Sequence, residues 1–249
     1  MATIVLALGL WWASTSFVPT TIGLSSEGRP IEAYSVGHGP QRVAIIGGIH
    51  GAYEINTSWL VWDLLHTFEG DPDSVPEQLT LLFVPEANPD GIANGSRFLA
   101  DGVDPNRNWP TQDWTPDAFE PGLWQLLGGG GEGPLSEPET LALAVWIDQV
   151  QPMAVLSYHS AAGIVMGGPA ANFLGLTDAY AANAPGYRVL EWTAYPVTGD
   201  FVQWCEEMGV PALDIELWDR VDTDYERNLA GLWGVLGALA ALLDPVEHN

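Results

Sequence analysis

Ile45-Ile46-Gly47-Gly48-Ile49-His50-Gly51-Ala52-Tyr53-Glu54 sets the architecture of this chain. Residues 43–46 are an apolar run of the length of a buried strand. Two glycines end it, and a histidine and a glutamate follow across a tight turn. Residues 56–68 then repeat apolar side chains at helical spacing. Strand, polar turn and helix in that order form the unit of a layered α/β fold. In such folds chemistry gathers at the carboxyl ends of strands, and His50 stands just beyond one.

The same alternation continues outward. Residues 20–24 and 31–36 read as strands around a turn at 25–28, and 79–84 is the next buried strand. A polar stretch from 87 to about 133, rich in Gly, Pro, Asn and Trp, has the length of a functional loop. Ser136 is expected to cap a helix that runs to about residue 149, with Pro138 at its second position and Glu139 at the capping-box place. A strand at 154–157 leads into Tyr158-His159-Ser160, a helix follows at 201–208, a strand at 212–215 and an amphipathic helix at 225–243. The expectation is a single α/β domain over residues 20–249, with a mixed, twisted sheet of about eight strands and helices on both faces. His50, residues 86–90, His159 and Glu216 all fall at or just past strand ends, which packing alone does not explain.

Composition narrows the partners. The chain has 249 residues, 47% of them hydrophobic, enough for one sizeable core. Seven basic residues, all arginine, face 32 acidic ones for a net charge of −25. That field repels nucleic acid and anionic lipid, so neither is a main partner and no stable membrane association is expected. The single cysteine, Cys205, excludes an intramolecular disulfide and lacks a Cys–His signature, so it reads as a packing residue. Residues 4–13 are apolar and uncharged, too short to span a bilayer. They resemble the core of a secretory signal followed by small residues, but lack the basic start. On that basis residues 1–19 are set apart as an N-terminal apolar segment and export, extracellular or periplasmic, is expected. A buried strand is the competing reading.

A catalytic zinc takes three protein ligands and keeps one position open. His50 and Glu54 offer two donors across the glycine turn, and His159, at another strand end, offers the third. His38, His66 and His248 have no such context and read as surface residues. Asp214 and Glu216 in Leu213-Asp214-Ile215-Glu216-Leu217 lie on one side of an apolar strand, where an ionisable group is costly without a task or a partner. Ser160 has no Gly-x-Ser-x-Gly elbow around it and reads as a cleft wall. Trp109, Trp114 and Trp124 read as packing residues, and residues 128–131 as a flexible loop tip.

Several stretches together carry a resemblance: Gly47-Gly48-Ile49-His50-Gly51, Asn88-Pro89-Asp90-Gly91, Arg97, Gly102 to Pro110 through Asp104-Pro105-Asn106-Arg107-Asn108-Trp109, Ser136 to Thr140, His159-Ser160, Tyr195 and Glu216. In this order they resemble the zinc carboxypeptidases of the carboxypeptidase A superfamily, over nearly the whole chain. The resemblance implies one zinc ion held by His50, Glu54 and His159, and Glu216 as general base and later acid. It implies Arg97 beside the oxyanion, Asn106 and Arg107 gripping a terminal carboxylate, and Tyr195 closing over the bound residue. Val202 falls where the side chain of that residue is chosen, which suggests an apolar or aromatic one. Nearby Asp200 leaves a basic one open. Two departures stand out. Three residues separate His50 from Glu54 where the family usually has two, which implies an altered turn, and the chain is shorter, which implies trimmed loops. The expected function is a zinc-dependent exopeptidase hydrolysing the C-terminal peptide bond of peptides with a free C-terminus. A zinc amidohydrolase acting on cell-wall peptides or N-acyl amino acids is the alternative, and a non-catalytic binding module of the same fold the lesser one.

Overall fold

A computed structural model describes residues 18–120 and 123–244 of the chain. Residues 1–17 of the N-terminal apolar segment, and His248, lie outside the described residues. The described residues form ten strands, β1 (Thr20–Leu24), β2 (Pro30–Gly37), β3 (Gln41–Ile46), β4 (Leu79–Val84), β5 (Ala118–Glu120), β6 (Leu123–Leu126), β7 (Ala154–Ser160), β8 (Ile164–Gly167), β9 (Arg188–Val189) and β10 (Ala212–Leu217). The helices are α1 (Ile55–Gly70), α2 (Pro89–Asn94), α3 (Pro138–Val150), α4 (Pro169–Phe173), α5 (Leu176–Asn183), α6 (Phe201–Glu207) and α7 (Tyr225–Leu243).

Eight strands form one sheet in the order β1-β2-β4-β3-β7-β10-β8-β9, and β5 and β6 form a separate hairpin. The four central strands, β4, β3, β7 and β10, run parallel. On one flank β2 and β1 add antiparallel pairs, and on the other β8 pairs antiparallel with β10. The sheet is therefore mixed, as the sequence leads one to expect.

Parallel strands are buried on both faces, and their near-continuous apolar runs reflect it. Alternation sorts the side chains: Val43, Ile45, Leu81, Phe83, Leu156 and Ile215 pack with α1, α5 and α7. Ala44, Ile46, Leu82, Val84 and Val155 pack on the other face with α3, α6 and Trp109. Each fully buried Leu, Ile or Val contributes about 1.5–3 kcal/mol. Cys205 is wholly buried in α6 within the second cluster, so it is the packing residue its context implies. His38 and His66 are exposed.

Three expectations are corrected. Ser136 does not cap α3. Glu137 occupies the cap position and Pro138 starts the helix. The Ser136 hydroxyl donates to Glu137 Oε1 at 2.6 Å, and the Glu139 carboxylate accepts from the Ser26 amide (2.9 Å) and hydroxyl (3.2 Å), tying α3 to the β1–β2 turn. Residues 128–131 are not a free tip. Gly129, Gly130 and Gly131 are buried, and a Cβ on Gly130 would sit 2.2 Å from the Thr115 carbonyl oxygen. The backbone of Asp104 and the side chains of Asn108 and Trp114 all donate to this turn. Finally, residues 161–200 carry β8, α4, α5 and β9, where sequence periodicity assigns no element.

Asn108 holds the long loop to the body of the protein. Its buried amide donates to Gly130 O (2.8 Å), Gly133 O (2.9 Å) and Ser136 Oγ (3.0 Å), and its Oδ1 accepts from Thr140 Oγ1 (2.6 Å). Asn108→Ala strands these groups in the interior. It is expected to cost at least about 2 kcal/mol of stability in denaturant unfolding, and a loss below about 0.5 kcal/mol would show that water replaces the amide at no penalty.

Candidate active site

Beyond β3 the strand pairing continues: the Gly47 amide donates to Val84 O (2.9 Å) and Gly47 O accepts from Ala87 (3.1 Å). The chain then turns sharply. Gly51 has φ +49°, and a Cβ there would lie 2.6 Å from Ser96 O and 2.7 Å from the Gly91 carbonyl carbon, so glycine alone lets the turn dock beside α2. A single 3-10 turn, Gly51–Glu54, absorbs the three-residue spacing between His50 and Glu54. It rotates Tyr53 outward (43% exposed) and Glu54 inward (3%). The Thr57 hydroxyl donates to Glu54 O at 2.8 Å and accepts from the Gly48 amide at 3.0 Å, fixing the turn against the strand end.

This turn meets β7. Glu54 Oε2 lies 3.0 Å from His50 Nδ1 and 3.4 Å from His159 Nδ1, and the two Nδ1 atoms are 3.2 Å apart. Zinc bonds of about 2.0–2.2 Å meeting at the tetrahedral angle put neighbouring donors about 3.3–3.6 Å apart. Three buried donors, two imidazole nitrogens and a carboxylate oxygen, thus stand at nearly the separations that one zinc ion requires. The far ring nitrogens are also served. His159 Nε2 lies within hydrogen-bond distance of Ser157 Oγ, at 2.9 Å, and His50 Nε2 faces Asp104 Oδ1 at 3.3 Å. Such contacts orient the imidazoles of metal sites. Among the described residues this is the group of His, Cys, Asp and Glu side chains that fits a metal ion.

The parallel register of β7 and β10 sets Ser157 opposite Asp214 and His159 opposite Glu216. Side chains two apart share a face, so both acids look the way His159 does, away from the cluster that buries Leu213 and Ile215. Burial, then the charges of Glu54 and Asp214, push the Glu216 carboxyl up to about 8. Burial likewise lifts Asp214, to about 6.

Arg97 lies against the donor group, donating to Glu54 Oε1 (3.0 Å) and, through Nε and Nη2, to Asp104 Oδ2 (3.1 and 3.0 Å). Burial penalises the Asp104 charge, but Arg97 and His50 outweigh that and hold its carboxyl well below the usual range. Asn106 takes the Phe201 amide on its Oδ1 (2.9 Å) and donates to Asp200 Oδ2 (3.0 Å), joining the loop to the start of α6. Arg107, 3% exposed, donates to Asn106 O at 2.6 Å and is turned toward Phe119 O. Tyr195 is half-buried, its ring edge-on to Trp192, and Val202 faces inward from α6. One cavity of about 1030 Å³ is lined by His50, Glu54, His159, Glu216, Arg97, Asn106, Arg107, Tyr195 and Val202 alike. Ser160 lines it too, its hydroxyl on Asn56 Oδ1 (3.1 Å) and its amide on Glu54 Oε2 (3.1 Å), as a wall residue.

Sequence reasoning passed over two residues. Ser157 carries a legible signal, since it lies two positions before His159 and must share its face. Asp104 carries none. The fold buries it between His50 and Arg97. Asp104→Asn is expected to weaken zinc binding about 10–100-fold in competition with a chromogenic chelator. Unchanged affinity would show that Asp104 does not orient His50.

The profile of the zinc carboxypeptidase family matches residues 15–208. Murein peptide amidase A of Escherichia coli K12 is 34% identical over 137 residues, 52% of this chain and 54% of that protein, so the chain aligns with about half the length of this relative. The protein of the same name from Vibrio campbellii is 28% identical over 226 residues, 87% of this chain and 86% of that one. Bovine thrombin-activatable fibrinolysis inhibitor shares the fold at a TM-score of 0.73 and 18% identity, over 91% of this chain and 90% of that one. With the family's profile spanning most of the sequence and a donor set suited to its metal, this chain belongs to the zinc carboxypeptidase family, a family of zinc-dependent hydrolases.

Proposed function

We propose that the protein is a zinc-dependent exopeptidase that cleaves the amide bond before a residue bearing a free terminal carboxylate. The observation that carries this reading is the shared cavity, in which the three donors, Glu216, Arg97 and Arg107 all meet. A zinc ion held by His50, Glu54 and His159 would supply a Lewis acid for the scissile carbonyl and bring the pKa of water to about 7.

The chain's own residues account for the remaining roles. Glu216, beside His159 in register, takes the proton of the attacking water and passes it to the departing nitrogen. Arg97, anchored by Glu54 and Asp104, presents fixed positive charge where the oxyanion develops. Arg107 offers a planar fork that matches a terminal carboxylate, with Asn106 beside it. Tyr195, in the segment before α6, covers the bound residue.

The relatives named murein peptide amidase favour a second, narrower reading, in which the peptides cleaved are those of the bacterial cell wall. That reading keeps the same groups and changes only the substrate.

Glu216→Gln is expected to lower kcat about 10²–10⁴-fold with zinc content unchanged, and unaltered turnover would remove Glu216 from the mechanism. A peptide with a free C-terminus should be cleaved at least about a hundredfold faster than its C-terminal amide, because the neutral amide cannot take the two parallel charge-assisted bonds that the Arg107 fork offers a carboxylate. Equal rates would overturn the exopeptidase reading. Isolated murein peptides should be turned over faster than unrelated peptides of the same length if the narrower reading holds, and slower if it does not.

A further inference from the structure

Tyr53 is the residue that the longer His50–Glu54 spacing turns outward, and two guanidiniums gather on its ring. Arg97 Cζ lies 5.6 Å and Arg220 Cζ 4.4 Å from the ring centre. Both arginines line the cavity, as does Arg107. Three of the seven basic residues in a chain of net charge −25 thus meet in one place.

The three differ in what they touch. Glu54 and Asp104 neutralise Arg97. Arg107 has the terminal carboxylate assigned to it above. Arg220 forms no ion pair or hydrogen bond with any described residue, and its partner among them is the Tyr53 ring. The acids of its own loop are turned elsewhere. Asp219 Oδ1 accepts from the Val221 (2.7 Å) and Asp222 (2.8 Å) amides, Asp222 Oδ1 accepts from the Asp224 amide (2.9 Å), and Asp224 Oδ2 faces Arg227 at 3.3 Å. A guanidinium held by an aromatic ring, rather than by a carboxylate, keeps its donor fork for an anion that binds.

The position of that fork is fixed. The Asn56 amide donates to Asp219 O (2.7 Å) and Asp222 O (2.9 Å), on either side of Arg220, and its Oδ1 accepts from Ser160 Oγ (3.1 Å). One buried side chain so ties the Arg220 loop to the start of α1 and to the end of β7. Arg107 is held from the other face of the sheet. Asn106 joins its loop to α6, which packs in the cluster opposite that of α1. A peptide with its terminal carboxylate on Arg107 and its scissile carbonyl at the donor group therefore extends its acyl part toward Tyr53 and Arg220.

We propose that Arg220 is a specificity-determining residue on the acyl side of the scissile bond and receives the side-chain carboxylate of an acidic residue directly before that bond. The proposal rests on the exopeptidase reading and adds a substrate preference to it. Tyr53 is its positioning residue, the platform that holds the guanidinium at the cavity.

The test uses the zinc-loaded enzyme and peptides with a free C-terminus, identical except for glutamate or glutamine before the last residue. The readout is the ratio of the two kcat/KM values within one enzyme, so it stands whatever a substitution does to the overall rate. Wild type should favour glutamate by about 5- to 20-fold at low ionic strength, mainly through KM, and the preference should shrink toward unity in about 1 M salt. Arg220→Gln should abolish the preference, and Arg220→Lys should keep part of it. Tyr53→Ala should diminish it and Tyr53→Phe retain it, because the ring and not the hydroxyl carries the contact. A wild-type enzyme that cleaves both peptides equally, or an Arg220→Gln variant that still favours glutamate, overturns the proposal and leaves the exopeptidase reading intact. Failure on every free-carboxylate peptide, with cleavage of their C-terminal amides, overturns the exopeptidase reading itself and this proposal with it.

Discussion

The Glu54 carboxylate is the constraint on which the rest of this site depends. It is 3% exposed, wedged between two imidazoles, with an arginine on its other oxygen. A charge in that setting is tolerated only when every lone pair is met. Arg97 meets Oε1, the Ser160 amide meets Oε2 at 3.1 Å, and the remaining direction opens on the two Nδ1 atoms. The arrangement closes on a cation. The turn that delivers Glu54 is therefore as important as the residue: a 3-10 turn rather than a direct entry into α1, seated by Gly51 against α2 and by Thr57 against the strand end.

Around this centre the protein separates its two tasks by face. The central parallel strands give one set of alternating side chains to the core under α1, α5 and α7. The ends of β7 and β10 turn Ser157, His159, Asp214 and Glu216 the other way. One register shift would send all four into the hydrocarbon interior, so the stability of the sheet and the geometry of the site are the same requirement. Asn106 and Asn108 extend that rigidity into the long loop, the first anchored to α6 and the second to α3 and the glycine turn. Arg107, between them, inherits a fixed position.

Much of this was legible in the sequence where the physics is local. Strand ends, the helix after Glu54 and the His–Glu–His set follow from apolar runs, glycine punctuation and zinc's known ligand preferences. The reading weakened wherever a partner is distant. Nothing near Asp104 indicates that it will face His50, and nothing near Gly130 that three separate residues will close on it. Ser136 and Glu139 match a helix cap locally, but Glu139 has a stronger option in Ser26, 113 positions away in sequence. Residues 161–200 escaped assignment because their elements are short. Helices of five and eight residues hold too few turns for a clear period, and a two-residue strand has none. The resemblance to the zinc carboxypeptidases supplied the roles of Arg97, Arg107 and Tyr195, which spacing alone left open.

The most direct test of the account is a crystal structure of the zinc-soaked protein with anomalous data collected across the zinc absorption edge. The account requires a single strong anomalous peak about 2.0–2.2 Å from His50 Nδ1, His159 Nδ1 and a Glu54 carboxylate oxygen. A peak elsewhere, or one at the two histidines with Glu54 turned away and no other carboxylate in its position, would contradict it.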